Sequence, residues 1–230
     1  MLVGRFNLKV LQERAVSAAV LIPIVLFAVI WGGLPFYIMI IVLAAISAYE
    51  WVAMVRKMDD TALHVLWGLV YIAVGFLCCI VIREQQSLNA AILFVIMVWA
   101  ADIGAYFAGK YFGGPKLAPQ ISPNKTWAGL GGACDSAGLV AVFYYLGVMI
   151  FSAEAFFSWA GLMFMFVVGV VIAIVAQGGD LLISYMKRKA GVKDTGALIP
   201  GHGGLLDRID SLLLAAPVYY VLTSFFSFSL

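Results

Sequence analysis

Charge is what this sequence has least of: Asp, Glu, Lys and Arg make up 11% of its 230 residues, against 64% hydrophobic. A soluble domain of ordinary composition carries roughly 25% charged residues. A chain this apolar cannot cover itself with water-facing side chains, which argues against a soluble globular protein. The net charge of +2 supplies no basic field for nucleic acid, so none is expected as a partner. Cysteine is scarce too: Cys78, Cys79 and Cys134 have no metal-ligand spacing, and an adjacent pair plus one gives no disulfide framework. There is no internal repeat and no low-complexity linker.

What is present is a series of long apolar runs. About 20 mostly apolar residues suffice for a helix to cross a bilayer, and windows of that kind fall at 15–31, 34–53, 63–82, 88–108, 127–151, 157–177 and 207–227. The expected fold class is therefore all-α, a polytopic integral membrane protein with about seven transmembrane helices. Arg5, Lys9 and Arg14 precede the first run as in a signal peptide, but the run is long for a cleaved leader and lacks a small-x-small exit, so it reads as a retained span. The turn Gly32-Gly33-Leu34-Pro35 punctuates the first two runs and is compatible with a re-entrant pair.

Basic residues collect on the cytoplasmic side of membrane proteins. With the N-terminus cytoplasmic, every Lys and Arg except Arg83 falls on that side. The two longest polar connections, 109–126 and 178–206, then share the cytoplasmic face. Two look-alikes fall away: Gly109 to Lys116 lacks the Gly-Lys-Ser/Thr ending of a phosphate loop, and the sequon Asn124-Lys125-Thr126 lies in a cytoplasmic loop and takes no glycan.

Carboxylates inside apolar spans are expensive and mark function by default. Asp102, Asp180, Asp207 and Asp210 lie within or at the ends of predicted spans, and Asp135 just inside another. If 180–190 is helical, Asp180, Ser184, Lys187 and Arg188 share one face, and Asp207 and Asp210 do so at i, i+3. Mg²⁺ takes oxygen ligands, commonly one or two carboxylates with substrate phosphates and water, so aspartates facing a lysine-arginine cluster suit a metal-bound triphosphate. Gly201, Gly203 and Gly204 let backbone amides approach phosphate oxygens or form a turn. His202 is a polar loop residue or an acid-base group. Ser122, Asn124, Lys125 and Thr126 precede a helix, where they present hydroxyls, a cation and amides to an anion, or simply cap the helix.

The stretch 184–210, Ser184-x-x-Lys187-Arg188 through Lys193-Asp194, Gly196, Ile199-Pro200, His202-Gly203-Gly204 and Asp207-Arg208-x-Asp210, resembles the phosphatidate cytidylyltransferase signature without departure. A second stretch, Ala101-Asp102-Ile103-Gly104-Ala105-Tyr106-Phe107 to Ser122-Pro123-Asn124-Lys125-Thr126-Trp127, is similar to the same family. It departs where Ile103 replaces a hydroxyl residue and where Ala128-Gly129 replaces Glu or Gln followed by Gly. The resemblance covers roughly the C-terminal three-fifths, which divides the chain into N-terminal transmembrane helices, 1–85, and a catalytic transmembrane region, 86–230.

The resemblance implies a nucleotidyltransferase of phospholipid biosynthesis that joins CTP to phosphatidate, giving CDP-diacylglycerol and pyrophosphate. It implies Mg²⁺, with a second, monovalent cation admitted, held by Asp180, Asp207 and Asp210. Lys187, Arg188, Lys193 and Arg208 would hold phosphates. Lys193, Asp194 and His202 would act beside the aspartates in catalysis, and Asp102, Ser122, Asn124, Lys125, Thr126, Ser184, Gly203 and Gly204 would contact substrate. Membrane lipids and a second copy, as a homodimer, are the implied partners, and a bacterial inner membrane with a cytoplasmic active site the implied location. Three alternatives stay open: a CTP-dependent lipid kinase, an ion-coupled membrane transporter or scramblase built on Asp102, Asp180 and Asp207, and a catalytically silent scaffold.

Overall fold

The structure is a computed structural model and describes residues 23–56, 58–151, 157–198 and 203–225. Residues 23–31, labelled α1 here, are helical, and Gly32, at φ 70°, separates them from α2 (Gly33–Val55), which α3 (Thr61–Val81) follows. One turn of π-helix, Ile82–Gln86, links α3 to α4 (Leu88–Phe112). After a hairpin of β1 (Lys116–Ala118) and β2 (Ser122–Thr126) come α5 (Trp127–Phe151), α6 (Trp159–Lys189) and α7 (Leu206–Phe225). Five of these helices, α2 to α6, are long and apolar enough to cross a membrane, making this a multi-pass membrane protein.

Residue chemistry accounts for where several helices start. Ser87, Thr126 and Ser158 each precede a helix, and their hydroxyls accept from the N–H groups of Ala90, Gly129 and Gly161, satisfying donors that a first turn leaves unpaired. The packing forms two apolar clusters. One, rich in alanine, joins α4, α5, α6 and α7 around Met97, Ile172 and Tyr219. The other joins α1, α2 and α3 to the C-terminal part of α6 and the start of α7 around Trp51, Ile183 and Leu206. Large apolar side chains such as Ile41, Leu66, Phe107, Phe143 and Val167 stay exposed on the outside of the bundle, as they must where the solvent is lipid.

The all-α expectation holds; among the described residues the strands are confined to one antiparallel hairpin, in which Lys116 pairs with Thr126 and Ala118 with Ser122. The two expected polar connections require correction. The polar connection 109–126 is shorter than expected, with α4 running to Phe112. The connection 178–206 is shortened by more, because residues 178–189 continue α6. At 31 residues that helix is about 46 Å long, longer than the ~30 Å hydrocarbon core, so its last turns carry Lys187, Arg188 and Lys189 beyond the apolar window. The paired glycines 178 and 179 do not end the helix: the cost of about 1 kcal/mol each is outweighed by packing on α7. The start of the first expected span, before residue 23, lies outside the described residues.

Arg83, among the described residues the one Lys or Arg at the end of the bundle away from the hairpin, has a structural use. Its Nε donates to the Val29 carbonyl at 2.7 Å and Nη2 to that of Ile30 at 3.3 Å, so it caps the end of α1, where a helix presents unpaired carbonyls and partial negative charge.

Candidate active site

Two cavities meet at the end of the bundle that holds the hairpin and the α6–α7 connection. The smaller, about 290 Å³, is lined by Asp102, Asp180, Lys187, Asp194, Asp207, Arg208, Asp210 and Ser211, all polar. The larger, about 560 Å³, is lined by Lys110, Asn124, Lys125, Thr126 and Gln177 and by the less polar Ala105, Tyr106, Gly109, Gly129 and Leu130. Asp102 and Asp180 belong to both linings and so stand at the junction.

Asp180 lies on α6 with the spacing the sequence gives: Ser184, one turn on, donates from Oγ to Asp180 Oδ1 at 3.1 Å. Its other oxygen meets Lys125 Nζ from the hairpin at 2.7 Å, and the Asp180 side chain is still 34% exposed. Among the described residues nothing further bonds it, which leaves two lone-pair positions open on a carboxylate that has accepted two bonds. Gln177, one turn earlier, donates to Asp102 Oδ1 of α4 at 3.3 Å. Four elements, α4, the hairpin, α6 and α7, therefore converge on the junction.

Asp207 is placed differently. Lys187 Nζ lies 2.6 Å from its Oδ1, and its Oδ2 accepts from Thr195 N at 2.9 Å and Gly204 N at 3.1 Å, with Thr195 Oγ1 also 3.1 Å away. Both oxygens are enclosed by protein donors. This side chain, 7% exposed, fixes Lys187 against the loop as well as edging the cavity. Asp210 is buried, with Oδ1 accepting from Ser211 N at 2.8 Å.

The approach of α7 to α6 depends on Gly179: a Cβ there would sit 2.6 Å from the Asp210 carbonyl oxygen. Gly179→Val is accordingly expected to push the helices apart and lower the thermal unfolding midpoint of the detergent-solubilised protein, because overpacking costs about 1–3 kcal/mol. An unchanged midpoint would show that α7 shifts freely.

The other residues singled out from sequence divide clearly. Asp194 and Arg208 line the smaller cavity, and Asn124, Lys125 and Thr126 the larger. Thr126 also caps α5, so both readings of that loop apply to it. Ser122 is half-buried at the start of β2, in neither lining. Arg188 donates to the carbonyls of Ile121 and Val192 at 3.3 and 3.4 Å, tying the hairpin to the end of α6. Lys193 is exposed. Gly203 has φ 81°, a conformation glycine adopts without steric cost, and Gly204 donates its N–H to Asp207. His202 and Gly201 lie outside the described residues. Asp135 lines neither cavity, and neither do Ile103, 58% exposed, and Ala128, so the two departures from the family pattern fall outside both linings.

Four residues not singled out belong here. Lys110 and Gln177 line the larger cavity, Thr195 bonds Asp207, and Glu50 of α2 bonds Thr195. Glu50 was detectable: it is a lone carboxyl within the run 34–53, the same signal that marked the aspartates.

The donor set is hard oxygen throughout. Among the described residues no group of three acidic, histidine or cysteine side chains is placed to cage a metal ion. Mg²⁺ commonly takes one or two carboxylates and completes its shell with phosphates and water, so the site fits a metal shared with a phosphate substrate and does not fit an all-protein cage.

A polytopic helical bundle with carboxylates and lysines interleaved around two joined cavities defines a membrane protein equipped to hold phosphates. The chain belongs to the cytidylyltransferase family, whose model matches residues 56–226. It is 38% identical over 209 residues to a phosphatidate cytidylyltransferase of Rickettsia typhi, covering 90% of this chain and 89% of the relative. It is 37% identical over 217 residues to that of Rickettsia bellii, covering 94% and 92%. Against the phosphatidate cytidylyltransferase of Brucella suis it is 41% identical over 163 residues, 70% of this chain and 57% of the relative.

Proposed function

We propose that this protein transfers the cytidylyl group of CTP to phosphatidate, releasing pyrophosphate and leaving CDP-diacylglycerol in the membrane. The observation that carries this reading is the pair of cavities sharing Asp102 and Asp180: one wholly polar, one polar only on part of its wall. Two anionic substrates, one water-soluble and one lipid, need such a pair. The triphosphate is assigned to the smaller cavity, beside Lys187 and Arg208. The phosphatidate head group is assigned to the larger, beside Lys110, Asn124 and Lys125, where Tyr106 continues onto the exposed apolar surface of α4.

A phosphate oxygen of phosphatidate attacks the α-phosphorus of CTP, the bond from that phosphorus to the bridging oxygen breaks, and pyrophosphate leaves with the electron pair. The attacking group is already anionic, so no strong general base is required of the protein. The task is to bring two anions together and hold them in line. Lys125 and Lys187 supply positive charge on either side of Asp180, each oriented by an aspartate. Mg²⁺ bound with the nucleotide would neutralise triphosphate charge and fix its geometry. Asp180 is the ligand favoured by its open lone pairs, Asp210 lies on the same cavity wall, and Asp207 would contribute by opening from Lys187. Lys193 and Asp194 are assigned to the mouth of the site, His202 keeps the catalytic role its sequence context suggests, and the chemistry is assigned to residues 86–230 with 1–85 in support.

We assign seven spans, counting α1 and α7, with a cytoplasmic N-terminus and a cytoplasmic site in the inner membrane. In support, Arg56, Lys110, Lys116, Lys125 and Lys187–Lys189 gather at the end with the cavities while Arg83 lies at the other, the asymmetry the positive-inside rule describes. The test is purified protein in mixed micelles with phosphatidate, Mg²⁺ and CTP labelled at either the α or the γ position. Label is expected in lipid from α-labelled CTP only, with pyrophosphate formed in equal amount. Lipid labelled from γ-labelled CTP would mean a lipid kinase, and no labelled lipid from either would remove the enzyme reading.

A further inference from the structure

Glu50 sits on α2, N-terminal of the residues the family model matches, and is 4% exposed. Its Oε1 accepts from Leu205 N at 2.9 Å, and its Oε2 from Leu206 N at 2.9 Å and from Thr195 Oγ1 at 3.0 Å. The first two are free donors at the start of α7, so the carboxyl caps that helix from another helix. The third leads onward: the same Thr195 hydroxyl lies 3.1 Å from Asp207 Oδ2, and Asp207 Oδ1 holds Lys187. A continuous chain of contacts therefore runs from α2 through Thr195 and Asp207 to a cation at the wall of the polar cavity.

Two glycines make room for it. A Cβ on Gly196 would come within 2.7 Å of Glu50 Oε1, and one on Gly204 within 2.5 Å of Oε2 while colliding with Thr195 Oγ1. These positions are thus constrained by Glu50 as much as by any phosphate. The burial is also informative. A carboxyl in the bilayer-embedded part of a bundle is costly unless fully bonded, and this one is bonded wholly to the segment that carries the site.

We propose that Glu50 is a positioning residue for the reaction: acting through the Thr195 hydroxyl, it sets the orientation of Asp207 and hence the aim of Lys187 at the triphosphate. The inference rests on the cytidylyltransferase reading of this site. It places a determinant of turnover in the N-terminal helices, outside the segment that bears the chemistry. A carboxyl that only caps α7 has no need of Thr195. A carboxyl that positions Asp207 does, and that difference decides the test.

The experiment compares the full-length wild type with Glu50→Gln, Thr195→Val, Thr195→Ser and the Glu50→Gln/Thr195→Val double variant, measuring kcat, KM for CTP and the unfolding midpoint in phosphatidate micelles. Glu50→Gln and Thr195→Val are each expected to lower kcat about 10- to 100-fold, the scale on which small misplacements of reacting groups act, with KM for CTP changed much less. Thr195→Ser keeps the hydroxyl and is expected to restore most of kcat. The double variant is expected to be little worse than the worse single one, since both break one chain. Wild-type kcat in Thr195→Val would overturn the proposal even if Glu50→Gln proved too unstable to assay, and so would losses that multiply in the double variant. A wild type that forms no labelled lipid would instead remove the functional reading, and this inference with it.

Discussion

Asp180→Asn is expected to lower formation of labelled lipid about 10²- to 10³-fold, the range seen when one preorganised electrostatic element is removed from an active site. The substitution keeps the shape of the side chain and an oxygen acceptor for Ser184. What it removes is the negative charge at the junction of the two cavities, opposite Lys125 Nζ at 2.7 Å. The fold should tolerate it. The Asp180 side chain is 34% exposed, and partly exposed ion pairs contribute about 0–1 kcal/mol. An unfolding midpoint close to wild type with turnover nearly gone is therefore the expected pair of results. Substantial activity in Asp180→Asn would remove this residue from the reaction.

Lys187→Met should behave in the opposite way toward stability. The Lys187 and Asp207 side chains are 11% and 7% exposed, and removing one partner of a buried pair typically costs about 3–5 kcal/mol, because the remaining charge is left without compensation. A large drop in the unfolding midpoint is expected in detergent, together with loss of turnover. Replacing both residues, as Lys187→Met with Asp207→Asn, removes the stranded charge and should recover much of the stability while turnover stays lost. A single variant as stable as the wild type would show that the amides of Thr195 and Gly204 hold Asp207 unaided.

The sequence reveals the bundle because its apolar windows are long and its polar breaks few. For α5 the expected and observed bounds coincide at 127–151, since a polar hairpin ends in Thr126, a residue that caps helices. The extension of α6 was less legible. Gly178-Gly179 reads as a break between a span and a polar connection, although the spacing of Asp180, Ser184, Lys187 and Arg188 admits a helix over 180–190; the packing of Gly179 against the Asp210 backbone accounts for the two glycines within a continuous helix. The hairpin gives no usable pattern: strands of three and five residues are too short to show alternation, and Pro119 and Pro123 disguise them.

The polar cluster was legible for a simpler reason. In so apolar a chain, each Asp, Lys or Arg near a span is conspicuous, and 180–210 concentrates them. The partition within the cluster was not. Spacing cannot tell that Asp207 has both oxygens enclosed while Asp180 keeps open positions, because the donors to Asp207 are Lys187 of α6 and Thr195 and Gly204 of the loop between α6 and α7. Nor does local sequence indicate that Glu50, more than a hundred residues earlier, meets that loop. Such a link exists only once α2 packs against the start of α7.

The central claim is that a divalent ion and the triphosphate of CTP meet at the junction of α6 and α7. The most direct measurement is an experimental structure of the protein with CTP and Mg²⁺ in phosphatidate-containing nanodiscs. The account predicts the ion about 2 Å from an Asp180 carboxylate oxygen, with the triphosphate extending toward Lys187 in the smaller cavity. A nucleotide bound elsewhere, with Asp180 touching neither it nor the ion, would contradict the account.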